Sequence, residues 1–212
     1  MKSNKSYSMN KSHSMNKVSE ALTRLLDILI SGVCLIVFSP LFLLCWCLIR
    51  HEDGSPVLYC QERIGRGGKS FIIYKFRTMK RDAERCGPQL SSPEGKDDRL
   101  LRVGTFLRHH HLDELPQLWN VFIGDMAFVG PRPERPHFIK QIMEKDPRYE
   151  LLYQVRPGVT SYATLYNGYT DTLEKMLQRL ELDLYYLEHR SLVLNLKILW
   201  ITFYRIVSGK TF

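Results

Sequence analysis

The sequence predicts an α+β fold associated with one face of a membrane (monotopic). An N-terminal re-entrant helix, kinked at Ser39-Pro40, leads into a small mixed α/β cytoplasmic domain with interfacial amphipathic helices. Three observations carry this. An uncharged run extends from Ile28 to Ile49, two strand-like segments flank a Gly-rich link, and most of the remaining chain has helical periodicity. With 212 residues there is room for one globular domain plus attachments. The expected division is a disordered basic tail over 1–20, the membrane helix over 21–50 and a single domain over 51–212.

The tail has little to bury. Ser6–Lys11 (SYSMNK) and Ser12–Lys17 (SHSMNK) are near-duplicates, polar and low in complexity, as in disordered segments. The run that follows holds 22 residues without a charge. At ~1.5 Å per residue it is long enough to cross a ~30 Å hydrocarbon core, and it is apolar on every face, unlike a soluble surface helix. Pro40 removes one backbone hydrogen bond near the midpoint, so a kink is expected. Both flanks are basic: Lys2, Lys5, Lys11, Lys17 and Arg24 precede the run, and Arg50, Arg63, Arg66 and Lys69 follow it. The positive-inside tendency keeps both sides in the cytoplasm, which a helix that enters, bends and returns satisfies.

Pro56–Gln61 and Lys69–Phe76 read as short strands joined by the Gly-rich Arg63–Gly68 hairpin link. Residues 85–98 read as an exposed loop. Helical pattern returns near Leu100–Leu112, Pro116–Phe122 and Arg135–Lys145. It returns again over Thr172–His189, with apolar residues at 173, 176, 177, 180, 184 and 187. Leu192–Val207 is nearly all apolar but carries Lys197 and Arg205; it is too short to span, and fits an interfacial helix or a docked core helix.

The formal net charge is +8, with 30 Lys and Arg against 22 Asp and Glu, which suits a polyanionic partner: nucleic acid, an anionic membrane or phosphorylated substrates. The five cysteines (34, 45, 47, 60 and 86) show neither CxxC nor Cys/His spacing, so no zinc site or disulfide framework is indicated.

Asp113-Glu114, in HLDELPQLWN, is the pair that points to chemistry. Pro116 fits a helix's first turn, so both carboxylates fall at or just before a helix N-terminus, where the dipole is expected to keep them ionised. Adjacent carboxylates cannot oppose each other across a glycosidic bond. An ionised Asp is a competent nucleophile toward phosphorus, and its neighbour suits Mg²⁺. Helix capping is the plainer role for such a pair. Cations accompany it: Lys75 and Arg77 in YKFRTM, Arg108, and Arg132, restricted between Pro131 and Pro133 as a phosphate clamp requires. His109-His110-His111 would fan out by ~100° each on a helix and cannot converge on one metal ion.

YKFRTM, RVGTFLRHHHLDELPQLWNVFIGDMAFVGPRPE, RPGVT and LDLYY together resemble the bacterial sugar transferase family. Within it, the chain is similar to the small monotopic phosphoglycosyl transferases that start glycan assembly on undecaprenyl phosphate, over about Leu22–Val207. The resemblance implies that 51–212 is a catalytic domain on the cytoplasmic face of the bacterial inner membrane. It implies that Asp113 attacks the sugar-bearing phosphate of a UDP-sugar, UMP leaves, and the phosphosugar passes to the lipid phosphate. Glu114 then matches the Mg²⁺-associated partner, Arg108 and Arg132 match phosphate contacts, and Pro131-Arg132-Pro133 matches a segment beside the nucleotide. The implied partners are the UDP-sugar, undecaprenyl phosphate and membrane lipids, and not nucleic acid.

The chain departs from the family pattern where members often read PG[IV]TGWAQVNGR. Here Ser161, Thr164 and Tyr169 replace Gly, Gln and Arg, and three histidines precede Leu-Asp-Glu. These changes leave the carboxylate pair untouched; what they concern is the sugar specificity and the way this region meets lipid or donor. Two rivals make distinct predictions. A membrane-tethered basic binding protein would need salt-sensitive binding but not Asp113. A UDP-sugar phosphohydrolase would form product without lipid.

Overall fold

The computed structural model describes residues 15–83, 97–168, 170 and 172–208. The low-complexity tail up to residue 14 and most of the 85–98 loop lie outside these residues. The fold is helix-rich α+β with two small sheets.

Helix α1 (Lys17–Val37) begins inside the stretch expected to be tail, because Asn16 accepts a 2.8 Å hydrogen bond from Ser19 N and caps it. It ends at Phe38, and α2 (Ser39–Asp53) leaves at 59°. The bend falls one residue before the expected Ser39-Pro40 pair, so that Pro40 occupies α2's first turn, where proline costs nothing. Pro40 has no N–H for the Ile36 carbonyl, and the Ser39 hydroxyl donates to that carbonyl instead, at 2.7 Å. No single helix among the described residues is long and apolar enough to cross a membrane; α1 and α2 together are, as a bent pair.

Strands β1 (Leu58–Ile64) and β2 (Ser70–Phe76) pair antiparallel, with Tyr59 opposite Lys75. β1 starts and ends later than expected, running through Arg63. The link between them, Arg66–Gly68, uses Gly67 and Gly68 at positive φ (71° and 72°), which favours glycine. The expected helix over 100–112 is shorter: α3 (Arg102–His109) stops where His111 turns left-handed (φ 55°). A 3₁₀ turn (Leu112–Glu114) and α4 (Gln117–Ile123) follow. Pro116 explains the break, since its ring would clash with the Leu112 carbonyl in a continuous helix. Then come β3 (Ala127–Val129), α5 (Pro136–Lys145), a 3₁₀ stretch (Pro147–Gln154) and β4 (Gly158–Thr160), which pairs parallel with β3. α6 (Tyr162–Asn167), α7 (Leu173–His189) and α8 (Leu192–Val207) complete the chain.

The bent pair is part of the domain's packing. α1 lies along α4, where Arg24 donates to the carbonyls of Val121 (2.6 Å) and Phe122 (2.8 Å) and so satisfies the open C-terminal end of α4. α2 packs on α3 through Cys45, Ile49 and Leu107. Both carboxylate oxygens of Glu52 accept from the first amides of α3, Arg102 N (2.7 Å) and Val103 N (2.9 Å). A second core joins α5, the 3₁₀ stretch and α7 through Phe138, Ile142, Tyr149, Leu180 and Leu184. Leu107 and Ile142 are each 1% exposed, so truncating either to Ala costs about 2–5 kcal/mol.

Candidate active site

The 3₁₀ turn that carries Asp113 and Glu114 is held from both sides. Leu112 and Leu115, which bracket the pair, pack into the α2–α3 core beside Leu41 and Phe42. On the other side the fully buried Asn120 of α4 bridges to the outer edge of β2. Its Nδ2 donates to Ile72 O (2.7 Å) and its Oδ1 accepts from Tyr74 N (3.1 Å), filling two places a missing strand would fill. Asn120 therefore sets α4, and the turn before it, against β2. Lys75, the next residue on that strand, places Nζ 2.5 Å from Glu114 Oε1.

Arg108 comes from the last turn of α3. Its Nε donates to Thr78 Oγ1 at 2.9 Å. That contact depends on Gly104, where a Cβ would stand 2.0 Å from the Thr78 carbonyl oxygen; only glycine lets α3 approach this closely. Arg132 follows β3 in the Pro131-Arg132-Pro133 segment. Pro131 O accepts from Gly158 N (2.9 Å) and Pro133 O accepts from Arg63 Nη1 (3.1 Å), so the backbone on either side of Arg132 is tied down.

The fold thus brings Lys75 and Arg108 within electrostatic range of Asp113, and Lys75 and Arg132 within range of Glu114. Arg77, expected among the phosphate contacts, is placed elsewhere. It is buried and donates to the carbonyls of Asp53 (3.1 Å) and Gly54 (2.9 Å), closing the C-terminal end of α2. Lys75 pairs with the dyad from within β2, whereas Arg77 lies just past the strand's end and turns back to the end of α2. The exposed His109, His110 and His111 mark the end of α3 rather than a continuous helix. Among the described residues no three His, Cys, Asp or Glu side chains converge as a metal cage.

The two carboxylates differ electrostatically. Burial, reinforced by the charge of Glu114, raises Asp113 to about 6 against the pull of Lys75 and Arg108. Burial also works against ionised Glu114, but the Lys75 ammonium and the Arg132 guanidinium prevail and hold its carboxyl down at about 2. Both groups are thus ionised at neutral pH, as expected, but with very different margins, and the helix N-terminus is not what sets them apart. α4 has only seven residues, and the decisive cation, Lys75, bonds one partner alone. Neighbouring carboxyls pushed apart in this way take separate roles. A pair of adjacent carboxylates without further protein ligands fits Mg²⁺, which accepts one or two and fills its shell with water and substrate phosphate.

The sequence model of bacterial sugar transferases matches residues 18–209. The chain belongs to the bacterial sugar transferase family. It is 38% identical over 188 residues to a UDP-N-acetylgalactosamine-undecaprenyl-phosphate N-acetylgalactosaminephosphotransferase of Aeromonas hydrophila, covering 89% of this chain and 44% of that protein. It is 41% identical over 177 residues to a UDP-glucose:undecaprenyl-phosphate glucose-1-phosphate transferase of Caulobacter vibrioides, covering 82% and 66%. With the uncharacterized sugar transferase EpsL of Bacillus subtilis it shares 36% identity over 189 residues, 89% of each chain. The chain therefore spans less than half of the Aeromonas protein and nearly all of EpsL.

Thr78 and Asn120 had not been singled out from the sequence. They lie inside the motifs YKFRTM and LPQLWN; for Asn120 the available signal was a polar residue amid Leu118, Trp119, Val121 and Phe122, whereas Thr78, beside Arg77, carried none. Ser161, one of the departures from the family pattern, is buried and caps α6 by accepting from Thr164 N at 2.9 Å. Tyr169 lies outside the described residues.

Proposed function

We propose that this chain transfers a sugar 1-phosphate from a UDP-sugar to undecaprenyl phosphate, releasing UMP, as the first membrane step in assembling a bacterial glycan. The observation that carries this reading is the buried Asp113 facing Lys75 and Arg108, beside a Glu114 that stays ionised. A carboxylate oxygen of Asp113 attacks the phosphorus that bears the sugar. The bond from that phosphorus to the bridging oxygen breaks, and UMP departs with the electron pair. The acyl phosphate is an activated phosphoryl group, so an oxygen of the lipid phosphate displaces Asp113 and leaves a diphosphate-linked sugar on the lipid. No general base is required, because both nucleophiles are anionic. Lys75, Arg108 and Arg132 hold the phosphates and offset the charge spread over the equatorial oxygens. Mg²⁺ bound at Glu114 would neutralise charge on the departing UMP.

Placement at the cytoplasmic face of the inner membrane accounts for the outer surface. Leu25, Leu29, Val33 and Ile36 of α1 and Leu43 and Leu44 of α2 are exposed, as are Val193, Leu196, Trp200 and Phe203 of α8. So much exposed apolar surface on one chain calls for an apolar phase. A re-entrant α1–α2 pair and an interfacial α8 would supply that contact while keeping the dyad at headgroup depth. The test incubates membranes carrying the chain with undecaprenyl phosphate and a panel of UDP-sugars. UMP released with phosphosugar on the lipid is the expected result. Sugar 1-phosphate and UMP formed equally without lipid would indicate hydrolysis instead.

A further inference from the structure

Gln117 carries a buried amide N–H with nothing to bond. It sits in the first turn of α4, in the motif LDELPQLWN, and only 3% of it is exposed. Its Nε2 is sealed from solvent and has no hydrogen-bond partner. A buried N–H without an acceptor lowers the stability of a fold, so one beside the dyad calls for a reason.

The local backbone says where this amide lies. Through the turn and into α4, hydrogen bonds run between residues three apart: Leu115 N to Leu112 O (3.3 Å), Leu118 N to Leu115 O (3.0 Å) and Trp119 N to Pro116 O (3.1 Å). Leu115 and Pro116 keep right-handed helical dihedrals, so the turn runs into α4 without a change of hand. Residues three apart then fall on one side of the segment. Glu114, Gln117 and Asn120 are such a row. Its two ends face β2: Glu114 bonds Lys75 Nζ, and Asn120 uses both ends of its amide on Ile72 O and Tyr74 N. Gln117 lies between them, yet its Nε2 reaches no acceptor.

The transfer chemistry supplies one. In a near-attack arrangement the phosphorus stands about 3–3.5 Å from the Asp113 oxygen. Its non-bridging oxygens are then within reach of a side chain one helical turn further on. Lys75 and Arg108 attract a phosphate over a distance, whether it is bound or reacting. A neutral amide acts only at hydrogen-bond range, and so favours the one geometry in which it is met.

We propose that Gln117 is a catalytic residue of the transfer: its side-chain N–H, idle in the empty chain, donates to a non-bridging oxygen of the phosphoryl group as the bond to Asp113 forms, and again as that bond breaks. This rests on the reading of the chain as a sugar 1-phosphate transferase. No proton changes hands. The amide is a fixed donor already in place, which needs no reorganisation at the moment of reaction. The unmatched N–H thus lowers stability at rest and raises the rate in turnover.

Gln117→Met, close in size and without an N–H, separates this from a structural role. In detergent with undecaprenyl phosphate and the UDP-sugar that the native chain uses, kcat should fall about a hundredfold or more, with KM for the UDP-sugar changed by no more than about threefold. Without substrates, the full-length variant should melt at or above the native temperature, because it loses a buried N–H that bonds nothing. A Gln117 that holds a water or braces the fold gives the opposite sign: Gln117→Met would melt lower, and the proposal would fall. Native turnover in Gln117→Met would overturn it too, as would a loss confined to KM, which would mark a group that only binds the UDP-sugar. Lipid-dependent UMP release by the native chain checks the underlying reading separately. Without that release both fall; with it, an unimpaired Gln117→Met removes this proposal alone.

Discussion

Lys75 Nζ lies 2.5 Å from Glu114 Oε1, and this one contact separates the behaviour of two adjacent carboxylates. It holds Glu114 ionised, and the fixed negative charge so created helps raise its neighbour Asp113. The pair also ties β2 to the turn after α3, residues 39 apart in sequence. Lys75→Met leaves Glu114 without its strongest partner. We expect a loss of about 1–3 kcal/mol in chemical denaturation, less than the ~3–5 kcal/mol of a fully buried pair, since both side chains keep some exposure (18% and 23%). Adding Glu114→Gln should restore part of that loss, because it removes the stranded charge. Strictly additive single and double variants would show that the contact contributes nothing.

Asp113→Asn separates nucleophile from fold. An Asn cannot form an acyl phosphate, so turnover should fall by about a thousandfold or more. The native enzyme's kcat/KM should rise with pH through about 6 and level off above it, as Asp113 loses its proton. Stability runs the other way. Because the folded state holds this proton up to about 6, the associated stability is complete below ~4 and is lost as pH rises through about 6. Asp113→Asn should therefore melt above the native protein at pH 8 and close to it at pH 4. A variant less stable at pH 8 than the native chain would contradict the raised carboxyl.

Much of the fold was legible because it is local. Thr172 and Ser191 each precede a helical pattern and cap the helix that follows, so α7 and α8 begin where the pattern does. Gly67 and Gly68 marked the hairpin. What escaped was non-local. β3 and β4 have three residues each and pair only because the glycines at 130 and 158 let two backbones meet, which no periodicity reveals. Arg77 looked like a phosphate contact until its partners proved to be the carbonyls at the end of α2, 23 and 24 residues away. The dyad's position before α4 could be read from Pro116, but the opposite shifts of its two carboxyls could not, since they depend on Lys75 arriving from another element.

Metal dependence follows from the donor set. Glu114 and Asp113 offer at most two protein carboxylates, so the proposed Mg²⁺ must complete its shell with water and donor phosphate. Chelation with EDTA should abolish UMP release, and Mg²⁺ or Mn²⁺ should restore it. Glu114→Gln should raise the metal concentration needed for half-maximal rate more than it raises the KM for the donor. Full turnover in chelator would remove the metal from the reaction.

The topology of α1 and α2 can be read by labelling. Both flanks of the bent pair are basic, and the 59° bend comes with a built-in remedy: Ser39 supplies the donor to Ile36 O that Pro40 lacks. Arg24 near the start of α1 reaches α4, and Glu52 near the end of α2 reaches α3, so both ends return to the same domain. A straight spanning helix would pull one of these contacts apart, while a re-entrant pair keeps both. In a background with the native cysteines replaced by serine, Lys17→Cys and Glu62→Cys should therefore both resist an impermeant thiol reagent in intact spheroplasts and react once the membrane is opened. Replacing Ser39 and Pro40 together with Leu lets α1 run into α2, and should expose Lys17→Cys to the reagent outside while lowering transfer. Labelling of Lys17→Cys in intact spheroplasts with Ser39 and Pro40 in place would mean that the pair spans the bilayer, and that Arg24 cannot be capping α4 in the membrane.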